Sequence, residues 1–496
     1  MLCLSSRLAI LKNPQYCFYS TAASNIIPLD ILIVGGGPAG LTMLSSLIAN
    51  NKLNKLSFKL IESNNLDNQI EKYDSLGRYD NRIISITPKN LDYLTTKINL
   101  PLNFDKITKF NGITIFNGSD LSTQTKSRVD LDTESYMCEI QNLVKSNYKF
   151  INNLNKSDSL IQNVKVDSIV KSELDNYPLV TLSNGITYKP KLLIGCDGFN
   201  SSVKKFMNYN GIGWSYDSFG VVGNLHLKYP PSDPSNLRGW QTFLKTGPLA
   251  HLPLEGDRAT MVWSCDAAMS EAFAKKITNG EVLGSLINCA YVLSRLDYEY
   301  YLKKALKLFS SESVDEKAIT ALIDEMNIRV EQESENLSKI NTDNSQDEML
   351  YMDEHYPPLV KSVNLSTVGR FPLKMFHLDH YSKNRLVLIG DACHNTHPLA
   401  GQGLNMGLED IKELVKQLEK ANDLGIDIGN NELVLKKYFE NRYPENSVML
   451  MGTDFLHKLF AIDEPIVHKI TNIGMDFFNN LDSVKKWMAF KVSGKN

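Results

Sequence analysis

Apolar positions run without a break through "ILIV" (31–34) of "LDILIV", stop at a cluster of glycines and resume with helical spacing in "PAGLTMLSSLIANN". A second apolar run, "KLSFKLIES", follows and ends at Glu62. An unbroken apolar run predicts a strand buried on both faces, and the 3.6-residue spacing predicts a helix. This part of the chain therefore reads as a strand–helix–strand unit of a parallel sheet. Further on, "VTLSNGITYKPKLLIGCDG" predicts a hairpin that turns at "SNG" and feeds another buried strand. From 215 to 375 apolar and polar residues alternate more strictly, as in "FGVVGNLHL" and "ATMVWSC". That predicts a sheet with one face covering a ligand. "RLVLIGDACHNTHPLAGQGLNMGLEDIKELVKQLEK" returns to strand, loop and long helix, and 446–496 has a helical pattern throughout. The segment 329–349, "RVEQESENLSKINTDNSQDEM", is acidic and rich in Asn and Ser, and reads as an exposed loop.

Composition narrows the classes. The chain has 496 residues, 43% of them hydrophobic and 22% charged, enough for a sizeable core in two or three domains. A net charge of only −3 implies no nucleic-acid partner. No apolar run reaches the roughly 18 residues of a membrane span. The seven cysteines form no CxxC pair, which fits free thiols in a reducing compartment. The first 25 residues are Ser-rich, carry Arg7 and Lys12, and precede the first acidic residue, Asp30. This is the composition of a mitochondrial transit peptide.

The glycines carry chemistry. Gly35, Gly37 and Gly40 form GxGxxG between a strand and a helix. The first permits a tight turn, the second lets the backbone approach a pyrophosphate, and the third lets helix and strand pack closely. The phosphates would sit at the positive end of the helix dipole. Glu62, closing the second strand, can accept hydrogen bonds from a ribose. The motif alone does not separate FAD from NAD. A second segment does: Gly390-Asp391 ends a strand and leads through Pro398, Gly401, Gly403, Leu404 and Asn405 into a helix. An Asp at a strand's carboxyl end can bond a polyol, and bare backbone N–H groups of a glycine loop suit an electron-rich ring edge. FAD has a ribitol and NAD has none.

The trio "GGGPAG", "GCDGFNSSVKK" and "GDACHNTHPLAGQGLN" resembles the group A flavoprotein aromatic hydroxylases, typified by para-hydroxybenzoate hydroxylase. "YDNRIISITPKN", "GWQTFLKTGPLAHLPL", "MVWS" and "GRFPL" resemble its ubiquinone-biosynthesis branch, and the leader fits that branch's fungal mitochondrial members. The resemblance implies a mixed α/β fold: a Rossmann-like FAD-binding domain interleaved with a mostly antiparallel substrate sheet, plus a C-terminal helical region. The expected division is a leader over 1–25, FAD-binding parts over 26–100 and 376–445, interleaved segments over 101–215, a substrate domain over 216–375 and helices over 446–496.

Residue by residue, the resemblance implies that Gly35, Gly37 and Gly40 hold the pyrophosphate and Glu62 the adenosine ribose. Arg82 and Gln141 would contact the phosphate and ribitol, and Asp391 the ribitol. Pro398 and Gly401 to Asn405 would lie against the isoalloxazine. Asp197 belongs to a motif that orders the cofactor domain and a pyridine-nucleotide path. The arginine that usually closes that motif is Lys204 here, which keeps the charge but loses the bidentate fork. Lys204 and Lys205 are therefore expected to border an approach for an acidic electron-transfer protein. The implied activity is hydroxylation of a polyprenylated 4-hydroxybenzoate-type ring at carbon 5 by molecular oxygen, through a flavin 4a-hydroperoxide. The implied setting is the matrix side of the inner mitochondrial membrane, with peripheral membrane contact, a ubiquinone-biosynthesis multiprotein complex, and ferredoxin with its reductase as donor. No catalytic side chain and no metal are expected; His394 and His397 read as loop packing or proton handling rather than ligands. The apolar region 455–491, with Lys485, Lys486 and Lys491, reads as a helical cap on the flavin domain, or else as a membrane- or partner-facing surface. A hydroxylase of another phenol such as kynurenine, a polyprenyl reductase, and a non-enzymatic escort for prenylated partners remain as alternatives.

Overall fold

The computed structural model describes residues 26–77, 79–119, 127–310, 315–341, 347–397, 401–481 and 485. The leader over 1–25, Pro398, Lys486 and Lys491 lie outside them.

Two large sheets meet face to end. In the first, parallel strands run in the order Leu386–Leu388, Thr187–Gly195, Ile26–Val34, Phe58–Ile61 and Leu160–Ile161. Ile31, Leu32 and Ile33 are fully buried, as the unbroken apolar run predicts. The hairpin forms as read: Pro178–Leu182 pairs antiparallel with Thr187–Gly195, and Gly185 at its turn has φ +84°. The helix Pro38–Ala49 starts directly after the glycines with Pro38 in its first turn. The helix Gly403–Asp423 packs beside it.

The second sheet is antiparallel apart from one parallel pairing, Gly239–Leu244 with Ile113–Phe116. Its order is His394–Asn395, Val360–Leu378, Gly211–Leu227, Arg258–Asp266, Gly247–Pro253, Gly239–Leu244, Ile113–Phe116 and Arg128–Leu131. Strand alternation gives it two distinct faces. Register places Val221, Leu249 and Trp263 on one face, buried among the helices Gly280–Val292, Arg295–Leu308 and Glu316–Asn341. The other face carries Val222, Gln241, Ala250 and Val262 and looks toward the first sheet.

Three expectations need correction. The region 215–375 is not all strand, because among the described residues four helices between Gly280 and His355 form the layer behind the sheet. The segment 329–349 is not an exposed loop over its described part: it continues the helix Glu316–Asn341 and enters the helix Asp347–His355. Ile319, Leu322, Met326, Val330 and Leu337 form one buried stripe along that helix, and Glu333 is buried against it with an ion pair to Arg329. The expected boundary at 445/446 falls inside the continuous helix Lys436–Ala461.

Candidate active site

The carboxyl ends of the parallel strands converge. Gly35 follows the first strand, Glu62 the second, Cys196-Asp197 the strand Thr187–Gly195, and Gly390-Asp391 the strand Leu386–Leu388. In an open α/β sheet, ligands bind in the crevice beyond these ends. A cavity of about 1010 Å³ opens there, bounded on its far side by the second sheet.

The glycine loop is held by contacts that leave no room for side chains. A Cβ on Gly40 would lie 1.8 Å from the Gly35 carbonyl oxygen, and one on Gly35, at φ +104°, would lie 2.6 Å from the Cys196 carbonyl oxygen. Gly37 differs: its Cβ would meet no heavy atom within 4 Å, because that side faces the cavity. Glu62 is buried and accepts hydrogen bonds from the Gly36 backbone N–H at 2.6 Å and from Asn64 at 2.7 and 2.8 Å. Gly36, which the motif reading passed over, is required for that contact, since its Cβ would lie 2.8 Å from the Glu62 side chain. The run of three glycines was the signal.

On the other wall, Asp391 faces the open cavity and accepts no hydrogen bond from the described residues. Protein surrounds it on its remaining sides, and this desolvation pushes its carboxyl up against the pull of His394 and Lys204. Asp197 also lines the cavity; its Oδ2 accepts from the Ser202 N–H and hydroxyl at 2.7 and 2.8 Å, and its buried Oδ1 has no partner among the described residues. Arg82 lines the cavity with an exposed side chain and no ion pair among the described residues. Gly401, Gly403 and Leu404 complete the wall.

Two expected residues stand elsewhere. Gln141 lies in the first turn of the helix Ile140–Asn153, buried, with no partner for its Oε1 among the described residues; its neighbour Ile140, not Gln141, lines the cavity. Asn405 is buried beneath the loop, donating to the Ser85 carbonyl at 2.8 Å and accepting from the Thr87 backbone N–H at 3.1 Å and from Asn90 Nδ2 at 2.9 Å. It ties the loop down rather than facing the cavity. Lys204 is not a free surface cation. Its ammonium donates to the Phe199 carbonyl and lies 4.7 and 4.5 Å from the Phe199 and Phe376 ring centroids, and burial pushes its pKa down. Of the expected pair, Lys205 is the exposed one.

The Gly390-Asp391 loop rests on a buried polar cluster that sequence reading missed. Asp410 is fully buried; its Oδ2 accepts from the Gly390 N–H at 3.1 Å and meets His394 Nε2 at 2.6 Å. Its Oδ1 accepts from Arg442 Nε at 2.8 Å and Asn446 Nδ2 at 3.1 Å. Burial pushes the Asp410 carboxyl up, but His394 and Arg442 outweigh it and hold the group well below the usual carboxylate range. Cys393, His394 and Asp410 lie close enough to share a cation, yet the Arg442 guanidinium already occupies the carboxylate. His394 and His397 diverge: the His397 ring packs against Tyr216 and His457. The signal for Asp410 was a lone acid among the apolar positions of the helix Gly403–Asp423, where Met406, Ile411 and Leu414 are buried with it.

These features fit FAD. Among the described residues Arg82 offers an unpaired cation, Gly37 a bare backbone, and Asp391 and the Asp197 Oδ1 acceptors without donors. The apolar sheet face beyond, with Ile113, Val222, Ala250, Leu252, Val262 and Phe371 around Gln241, suits a flat aromatic ring.

Comparison with known proteins agrees. An FAD binding domain family matches residues 328–424, which include the Gly390-Asp391 loop and the helix after it. The Saccharomyces cerevisiae protein "Ubiquinone biosynthesis monooxygenase COQ6, mitochondrial" is 39% identical over 96% of this chain and 96% of its own length. The Schizosaccharomyces pombe protein of that name is 30% identical over 94% of this chain and 91% of its own. Among solved structures, p-nitrophenol 4-monooxygenase from Pseudomonas putida has the same fold, with a TM-score of 0.61 over 95% of this chain and all of its own at 13% identity. A probable FAD-dependent monooxygenase from Pseudomonas aeruginosa superposes with a TM-score of 0.59 over 88% of this chain and 97% of its own at 16% identity. The converging strand ends, the glycine loop and full-length similarity place the chain in the family of FAD-dependent ubiquinone biosynthesis monooxygenases.

Proposed function

We propose that the chain hydroxylates the aromatic ring of a polyprenylated 4-hydroxybenzoate-type intermediate of ubiquinone biosynthesis, at ring carbon 5. The observation that carries this reading is a single cavity that joins the cofactor end of the parallel sheet to an apolar sheet face. The full-length similarity to ubiquinone biosynthesis monooxygenases supports the substrate class.

FAD supplies the activation of oxygen. The chain's own residues position and shield. Gly35, Gly37 and Gly40 open the helix N-terminus to the pyrophosphate, with Arg82 as its counter-charge, and Glu62 takes the ribose. Asp391 takes the ribitol, while Gly401, Gly403 and Leu404 bound the ring. Asp197 and Gln141 belong to the surrounding polar frame and Asn405 to the loop's anchor. Val222, Val262 and Phe371 keep water from the face where the phenol ring would lie, and Gln241 offers that face a polar group.

The reading places the protein in mitochondria, peripheral on the matrix side of the inner membrane, within a biosynthetic complex and after loss of its leader. Ferredoxin with its reductase is the proposed electron donor, approaching past Lys205. The test is turnover by purified protein with a prenylated 4-hydroxybenzoate, ferredoxin, its reductase and oxygen. A product heavier by one oxygen at carbon 5, by mass spectrometry and NMR, supports the proposal; oxygen uptake without ring hydroxylation rejects it. NADPH alone sustaining the same turnover rejects the donor assignment.

A further inference from the structure

We propose that the outward face of the helix Pro465–Asn479 docks onto an anionic lipid bilayer. The proposal builds on the reading of a prenylated substrate and names the surface that would meet the membrane. This helix is not a cap on the flavin domain. Its inner face, with Thr471 and Met475, packs against Val129 and Leu131 at the edge of the second sheet, and Asn479 Oδ1 accepts from the Asp130 N–H at 3.1 Å.

The outer face is the more apolar one. Ile466, Ile470, Ile473 and Phe477 share one side of the helix at intervals of four, three and four residues, and each is between 63% and 72% exposed. On the preceding helix Val448, Met451 and Phe455 are exposed with the same periodicity. A soluble surface seldom leaves such stripes in water, so the face has an occupant.

Charge identifies that occupant as lipid. The helix itself carries one lysine and one acid, Lys469 and Asp476, but the sequence after Asp482 carries Lys485, Lys486, Lys491 and Lys495 and no acid. Before the helix, Lys458 and Asp463 are both already paired, with Asp454 and with Arg295 and Lys245. An apolar helical face followed in sequence by a run of lysines is the composition of an interfacial segment on anionic headgroups. Position agrees. Phe460, just before this helix, stacks on Phe243 at 3.9 Å, and register puts Phe243 on the same sheet face as Gln241 in the cavity wall. A prenyl chain leaving the cavity along that face meets the helix whose other side carries the stripe.

The test is flotation of the FAD-loaded protein with phosphatidylcholine vesicles, with and without phosphatidylglycerol. The wild type should float with the anionic vesicles, and less at high salt. Replacing Ile466, Ile470, Ile473 and Phe477 by Ser should cut the bound fraction by at least about tenfold while bound FAD is retained. Ile473→Asp alone, with a charge in mid-stripe, should act in the same direction and guards against misfolding of the fourfold variant. Wild-type flotation by these variants, or no flotation of the wild type, overturns the proposal. So does a wild-type dimer in vesicle-free solution that Ile473→Asp makes monomeric, which would assign the stripe to a second copy. Hydroxylation of a short-chain, water-soluble substrate should survive in the variants; its failure in the wild type would count against the substrate reading and leave the flotation result standing.

Discussion

Asp410 and Arg442 meet at 2.8 Å in the interior, thirty-two positions apart in sequence and on different helices. Through Asp410 this pair also holds the Gly390 N–H, and so sets the direction in which Asp391 enters the cavity. Removing one partner from a buried ion pair costs about 3–5 kcal/mol, because the other charge is left uncompensated. Asp410→Asn should therefore lower the thermal midpoint of both apo- and holoprotein, as read by calorimetry. It should also soften the acid limb of stability. A carboxyl held low in the fold contributes stability above its unfolded pKa of about 3.9 and loses it as pH falls toward the folded value. An unchanged midpoint would remove the pair from the loop's foundation.

His251 predicts a second pH effect, at higher pH. It is buried on the helix-facing side of the second sheet, edge-on to Tyr291, and neither ring nitrogen has a hydrogen-bond partner among the described residues. Desolvation lowers its pKa from 6.5 to about 4. The unfolded chain then binds a proton near pH 6.5 that the folded chain refuses until about pH 4, so stability falls across that window as pH drops. The loss from this one group is at most about 3 kcal/mol. His251→Leu keeps similar volume and gives up no hydrogen bond. Denaturant titrations should show it close to wild type at pH 7 and more stable than wild type at pH 5. A parallel pH dependence in the two proteins would contradict the assignment.

Two glycines of one motif should fail in different ways. Gly40→Ala forces a methyl to 1.8 Å from the Gly35 carbonyl, a clash between backbones that cannot relax without moving the strand. Gly37→Ala adds a methyl into open cavity. The expected outcome is poor folding for Gly40→Ala, seen as low soluble yield and an early thermal transition. Gly37→Ala should keep the wild-type apo stability and lose FAD affinity by roughly tenfold or more, as the pyrophosphate is pushed from the N–H groups. Equal FAD affinity in Gly37→Ala and wild type would move the pyrophosphate elsewhere.

The sequence made the cofactor half legible because its signals are local. An unbroken apolar run, a glycine cluster and a helical period lie within a few turns of one another, and GxGxxG has few physical uses. The helix Glu316–Asn341 was missed altogether, and its second half was read as a loop because composition outweighed period. Apart from the buried Glu333, its acids and asparagines there face water, while the stripe from Ile319 to Leu337 that buries it starts ten residues before the polar segment. The Asp410–Arg442 contact was out of reach for another reason: pairing across helices leaves no periodic trace, and only an acid at a buried helix position hinted at it. Gln141 shows the limit of motif transfer, since the motif gave the right helix turn but the neighbouring residue faces the cavity.

Asp391 carries the sharpest test of the cofactor site. It is a carboxyl on the cavity wall that no described residue hydrogen-bonds, on a loop braced by Asp410 from below. The structure thus gives it a fixed position and no partner among the described residues. A ribitol hydroxyl donating to it would form a charge-assisted hydrogen bond of about 1.5–3 kcal/mol. Asp391→Ala should then weaken FAD binding by roughly tenfold to a hundredfold, with apo-protein stability equal to or above wild type, because no hydrogen bond to a described residue is lost and a desolvated carboxylate is removed. Asp391→Asn, which keeps the shape and loses the charge, should fall between the two. Burial already pushes the Asp391 carboxyl up, so FAD affinity in the wild type should weaken as pH falls toward that raised value, and this slope should be absent in Asp391→Ala. Flavin fluorescence titration across pH reads both effects. Wild-type affinity in Asp391→Ala would take Asp391 out of the site, and a pH slope kept in that variant would assign the titration to another group.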